Sequence, residues 1–97
     1  MNYEILYMND SEKNDYESYN KGYRNDVLVI IGEKKYKLYI TDMVRLVQDY
    51  ESEVEVYGYY YTEPNTIIVR EVTKSAISYT IEQLVKCGYF QHLGYEI

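Results

Sequence analysis

Residues 26 to 40 constrain the fold more than any other stretch of this chain. Asp26 leads into Val27-Leu28-Val29-Ile30-Ile31, Gly32-Glu33-Lys34-Lys35 supplies a turn, and Tyr36-Lys37-Leu38-Tyr39-Ile40 alternates with the period of a strand. The pattern predicts a β-hairpin, and a hairpin needs more strands or a covering helix before it is stable in water. The chain has 97 residues with which to supply them, so a single domain, 1–97, with one core is expected. A hydrophobic fraction of 46% is enough to fill that core.

The flanks predict the covering elements. Tyr3 to Met8 is rich in strand formers, and the polar stretch Asn9 to Asn25 that follows reads as a long loop, with room for a short helix. Thr41 or Asp42 can cap a helix in which Met43, Val44, Leu46, Val47 and Tyr50 recur at helical spacing, a stripe expected to face the sheet. Ser52 to Tyr61 alternates again, with Val54, Val56, Gly58 and Tyr60 on one side and Glu53, Glu55, Tyr57, Tyr59 and Tyr61 on the other, and is predicted as a strand. Glu63-Pro64-Asn65 is turn chemistry, so Thr66 to Glu71 is expected to return as the partner in a second hairpin. Thr73 caps a helix to about Cys87, with Ile77, Ile81, Leu84 and Val85 inward and Gly88 as the stop. The tail Tyr89 to Ile97 either adds an edge strand or packs. The fold class is therefore α+β: an antiparallel sheet of two β-hairpins plus an N-terminal strand, with two helices packed on one face.

Several chemistries lose support. Sixteen acids against ten bases give a net charge of −6, which repels nucleic acids and anionic lipid, so neither is an expected partner. The longest aliphatic run is five residues, far short of the roughly twenty of a membrane span. Met1-Asn2-Tyr3-Glu4 lacks the start of a secretory signal and Cys87 has no second cysteine, so a cytoplasmic protein is expected. The acidic run Asp10 to Asp15 fails as a calcium loop, because Asp15 stands where glycine is needed and Lys21 where the bidentate carboxylate belongs. Cys87 and His92 are read as a packing cysteine and a surface histidine rather than a catalytic pair, and structural zinc would need more ligands than they provide. The glycines at 22, 32, 58, 88 and 94 are isolated and make no phosphate loop. No enzymatic activity and no cofactor are expected.

Two acidic, tyrosine-bearing segments remain. Asn9 to Asn20 carries Asp10, Glu12, Asp15 and Glu17 against one lysine, and Asp42 to Glu63 carries six acids against Arg45 alone. The densest part is Asp49, Glu51, Glu53 and Glu55, followed at once by Tyr57, Tyr59, Tyr60 and Tyr61. Fifteen tyrosines beside one phenylalanine and no tryptophan is a skewed aromatic choice that a core would not impose. Tyrosine brings contact area at low entropy cost, and carboxylates pair with the arginines and lysines that normally hold phosphates.

A short, acidic, aromatic-rich chain of this kind resembles, at the level of class, the inhibitors that phages and bacteria aim at nucleases, including anti-CRISPR and toxin-immunity proteins. That resemblance implies a basic protein partner, a nuclease or CRISPR effector, whose nucleic-acid-binding groove is blocked by Asp49, Glu51, Glu53 and Glu55 as phosphate surrogates and by Tyr57, Tyr59 and Tyr61 as contact area. Asp10, Glu12, Asp15 and Glu17 are further candidates for the same surface. The alternative is an oligomeric small-molecule binder with a tyrosine-lined pocket for a nucleotide signal; a homodimer is compatible with either reading.

Overall fold

The hairpin anchors the structure. In the computed structural model, which describes residues 2–93, β2 (Tyr23–Ile31) and β3 (Lys34–Thr41) pair antiparallel, Val27 opposite Leu38 and Val29 opposite Tyr36. β1 (Glu4–Tyr7) adds antiparallel to β2, setting Ile5 against Val29 and Tyr7 against Val27. On the far edge β4 (Thr66–Ile68) runs parallel to β3, giving a four-stranded mixed sheet in the order β1-β2-β3-β4. The fold is α+β, with three helices: α1 (Glu12–Lys21), α2 (Met43–Tyr57) and α3 (Lys74–Lys86).

One face of the sheet carries the core. Alternation turns Val27, Val29, Tyr36, Leu38 and Ile40 inward, where they meet Val69, Val72, Ile77, Ile81 and Phe90. α3 supplies Ile77 and Ile81 from the expected stripe; Thr73 caps it by accepting a bond from the Ala76 amide at 3.1 Å, and Gly88 beyond its end stands at φ 78°. A 3-10 turn, Tyr89–His92, then lays Phe90 on Tyr36 at 5.2 Å between ring centroids. Of the tail, Gly94 to Ile97 lie outside the described residues, so the expected edge strand is not described there. Among the described residues no helix is long and apolar enough to cross a membrane.

Four expectations are corrected. Asn9 to Asn25 is not a long loop: Ser11 Oγ accepts the Asn14 amide at 3.0 Å and starts α1, Glu12 and Asp15 occupy its positive first turn, and Gly22 ends it at φ 79°. Ser52 to Tyr61 is not a strand, because α2 continues to Tyr57 before Gly58 stops it in the left-handed conformation. With that strand gone there is no second hairpin, and Thr66–Ile68 pairs with β3 instead, α2 forming the crossover that a parallel pair requires. Finally, α2 does not turn its apolar stripe to the sheet: it has no buried residue, and Met43, Val44, Val47 and Tyr50 are all exposed. Of the helices, α3 alone places apolar side chains among the core's buried residues.

The tyrosines follow a matching division of labour. Of the fourteen described, Tyr36 is buried and seven are exposed, while the single phenylalanine sits in the core. Half of the described tyrosines thus stand on the surface, while Tyr3, Tyr7 and Tyr89 are half-buried against the core.

Candidate functional site

The groove begins from an arginine. Arg45, in the first turn of α2, lays its guanidinium over the Tyr23 ring at 4.5 Å and donates from Nε to Asp49 Oδ1 at 2.9 Å. Tyr23 stacks on Tyr39 at 5.8 Å, on the sheet face turned away from α3. This chain of contacts fixes one side of α2 against the sheet and leaves Asp49, Glu53 and Tyr57, four residues apart along the helix, lining one wall of a groove beside Tyr39.

The opposite wall comes from the chain after Gly58. Tyr60 turns back to meet Tyr50 edge-on at 6.3 Å, while Tyr59 stacks on Tyr61 at 6.4 Å and 10°. Tyr57 meets Tyr59 at 6.4 Å. The segment is closed by its turn: Asn65 stands at φ 56°, as an asparagine can, its side-chain amide donates to the Lys37 carbonyl at 3.2 Å, and its own carbonyl accepts the Tyr39 amide at 3.2 Å. The result is an open cavity of about 450 Å³ with five tyrosines (39, 57, 59, 60 and 61) and three acids (Asp49, Glu53 and Glu63) in its lining, and no basic residue.

The lining is electrostatically negative. Burial pushes the Tyr39 phenol up to about 12, and Asp49 adds to the effect. Tyr60 is raised by burial and then by Asp49, Glu53 and Glu63, so its hydroxyl stays protonated against a field of carboxylates. Among the described residues, Glu51, Glu53, Glu55 and Glu63 have no basic group within ion-pair distance. Nor is any group of three or more His, Cys, Asp or Glu among those residues arranged to hold a metal ion. What fits is a cation with an apolar stem or a flat face, whose charge meets carboxylates while its body lies on phenol rings.

The sequence-derived surface is partly assembled. Asp49, Glu53, Tyr57, Tyr59 and Tyr61 come together in the groove, with Tyr57 and Tyr61 64% and 79% exposed. Glu51 and Glu55 do not join them: a helix turns 100° per residue, so they emerge on the other side of α2, exposed. Tyr39, Tyr60 and Glu63 were not among the sequence candidates; the turn-forming Glu63-Pro64-Asn65 was the available signal that this strip folds back. The second acidic segment is a separate place. Asp15 accepts from Arg24 at 2.6 Å and lies 3.4 Å from Lys74, Asp10 pairs with Lys74 at 2.5 Å, and Glu17 lies between Lys13 and Lys21 on α1, while Glu12 is exposed. Cys87 proves exposed rather than packed, its Sγ 3.4 Å from the Leu84 carbonyl, and His92 is exposed beyond it.

Comparison with known protein families, curated proteins and solved structures finds no match for this chain. The groove is therefore read on its own chemistry.

Proposed function

We propose that this chain is a small acidic binding protein of the inhibitor kind, which takes arginine or lysine side chains of a basic, nucleic-acid-binding surface into the groove between α2 and residues 59 to 63 and blocks that surface. The observation that carries this reading is the lining: five tyrosines and three carboxylates with no basic residue. Aromatic faces attract guanidinium and ammonium groups, and Glu53 and Glu63, exposed and without an ion-pair partner among the described residues, add negative charge beside those faces. Glu51 and Glu55 on the far side of the helix extend the negative field and steer a basic partner inward.

The same lining bears on the alternative. A nucleotide would bring its phosphates against Asp49, Glu53 and Glu63, with only Arg45, already engaged by Asp49, to offset them. The groove therefore favours a cationic occupant over an anionic one.

The test compares two variants of equal charge. Glu53→Lys/Glu63→Lys reverses the groove, and Glu51→Lys/Glu55→Lys reverses the far side of α2. Titration with an arginine-rich peptide, followed by calorimetry, is expected to show binding that weakens steeply with added salt, is lost in the groove variant and is reduced only modestly in the other. Exposed substitutions of this kind shift unfolding little, by about 0.5 kcal/mol or less. Equal losses in the two variants, or tight binding of a mononucleotide with none of the peptide, would overturn the proposal.

A further inference from the structure

Two rings of the groove are set apart from the rest by their orientation. Tyr59 and Tyr61 lie with their planes 10° apart and their centroids 6.4 Å apart, and they are 62 and 79% exposed. Neighbouring rings are not parallel to these: Tyr57 is tilted 46° to Tyr59, and Tyr60 meets Tyr50 at 84°. Rings in full face contact would stand roughly 3.5 Å plane to plane and hide those faces from water. At the observed spacing and exposure most of both rings is in water. We propose, resting on the reading that the groove takes a cation from a basic protein, that these two rings make it a site for arginine in particular: the guanidinium lies flat along the parallel faces of Tyr59 and Tyr61 while its edge meets the carboxylates of the same cavity.

Arginine and lysine differ in where their donors point. The N–H groups of a guanidinium all lie in its plane and leave two weakly hydrated faces, whereas an ammonium spreads its donors around a cone. An ammonium pressed on a ring therefore turns a donor away from water without a full acceptor, while a guanidinium keeps every donor at its edge. A trimethylammonium head has no donor to lose, but it is round and meets parallel faces only at a tangent. The chain's own side chains show what one ring does. Arg45 lies over Tyr23 at 4.5 Å while its Nε donates to Asp49, and Arg24 lies over Tyr7 at 4.5 Å while bonding Asp26 and Asp15. Lys74 also comes within 4.8 Å of the Tyr7 ring and pairs with Asp10 and Asp15, so a single tyrosine beside carboxylates admits either cation. What the groove adds is a second, parallel face.

The surrounding charges leave two carboxylates free for the edge of the guanidinium. Asp49 is held by Arg45, while Glu53 and Glu63 make no ion pair among the described residues. Lys37 lines the adjoining hollow beyond Tyr39, which Glu63 also borders, and it too makes no ion pair among those residues. A carboxylate accepts two parallel bonds from the guanidinium fork, a geometry that an ammonium cannot match. Ring faces and acids thus favour the same occupant.

The test titrates the full chain with three peptides of equal length and charge, carrying arginine, lysine or trimethyl-lysine, at one ionic strength so that the long-range charge attraction is common to all. Calorimetry is expected to show the arginine peptide binding roughly tenfold tighter than either of the others. Tyr59→Leu/Tyr61→Leu is expected to bring the three within roughly twofold of one another by weakening the arginine peptide alone. Tyr59→Phe/Tyr61→Phe, which keeps the faces, is expected to retain the preference. Circular dichroism reports whether each variant folds, and Tyr61→Leu alone takes the place of the leucine pair if that pair does not. Equal affinity for arginine and lysine, tighter binding of trimethyl-lysine, a preference that survives the leucine substitutions, or one lost in the phenylalanine pair would each overturn this proposal while leaving the groove a site for cations in general. Failure of all three peptides to bind would overturn both readings.

Discussion

Arg24 shows how much of this small fold rests on one side chain. It is 3% exposed, donates from Nε and Nη2 to the two oxygens of Asp26 at 2.7 and 3.2 Å and from Nη1 to Asp15 at 2.6 Å, and lies 4.5 Å over the Tyr7 ring. Burial opposes its charge, but Asp26 and Asp15 together hold its pKa above the usual arginine value. Arg24→Met strands Asp26 beneath the α1 corner and is expected to cost about 3–5 kcal/mol in urea unfolding, with part of the loss recovered by Arg24→Met/Asp26→Leu. Asp15 gives a pH signature. The hydrogen bond from Arg24, with a further one from Lys74, lowers its pKa below the ordinary 3.8, so the fold favours its carboxylate. That contribution is present above the unfolded value and disappears as the pH falls through the lowered one. Wild type is therefore expected to lose more stability on acidification below pH 4 than Asp15→Asn does, measured as the urea midpoint against pH.

Among the elements, the junction of α1, β2 and α2 depends on the absence of a single Cβ. Gly22 stands at φ 79° and accepts the Asp42 amide on its carbonyl; a Cβ there would lie 2.7 Å from the Asp42 carboxylate and 2.9 Å from the Arg45 Cβ. Gly32 has a similar backbone at φ 61° but open space around it. Gly32→Ala is expected to cost about 1–2 kcal/mol from backbone strain alone. Gly22→Ala costs clearly more, since it also displaces the N-cap of α2, and thermal melts of the two variants check the order. The hairpin and α3 were legible from the sequence because propensity, period and caps agree there. The end of α2 was not. Val54, Val56 and the tyrosines favour a strand one residue at a time, yet the four-three-four spacing from Met43 runs on to Val54 and Gly58 supplies a helix stop. α1 stood only as the alternative to a loop for a different reason: it has caps and i,i+4 ion pairs but hardly any apolar residues, so no periodicity marked its bounds. The groove was half legible, in that its acids and tyrosines were named. Their division between two sides of α2 follows only once those residues are known to be helical.

At the scale of the whole molecule, the core and all of the candidate groove but Tyr39 lie on separate elements. β2, β3, α3, Val69 and Val72 after β4, and Phe90 of the 3-10 turn bury the apolar side chains, with Ile5 and Tyr7 of β1 packed partly against them, while α2 and the strip after it, attached through Arg45 and the tyrosine stack, bury none fully. Reversing charge in the groove is therefore expected to change binding while leaving the unfolding transition nearly in place. The parallel pairing of β3 with β4 adds one more consequence. Strand pairing joins β4 to β3, and Ile77 and Ile81 of α3 share one buried core with Val27, Val29 and Leu38, so the covalent link through residues 59 to 62 is not what keeps the two parts together. Severed by a protease near Thr62, the molecule should persist as two clasped fragments, its scaffold whole and its aromatic wall cut loose.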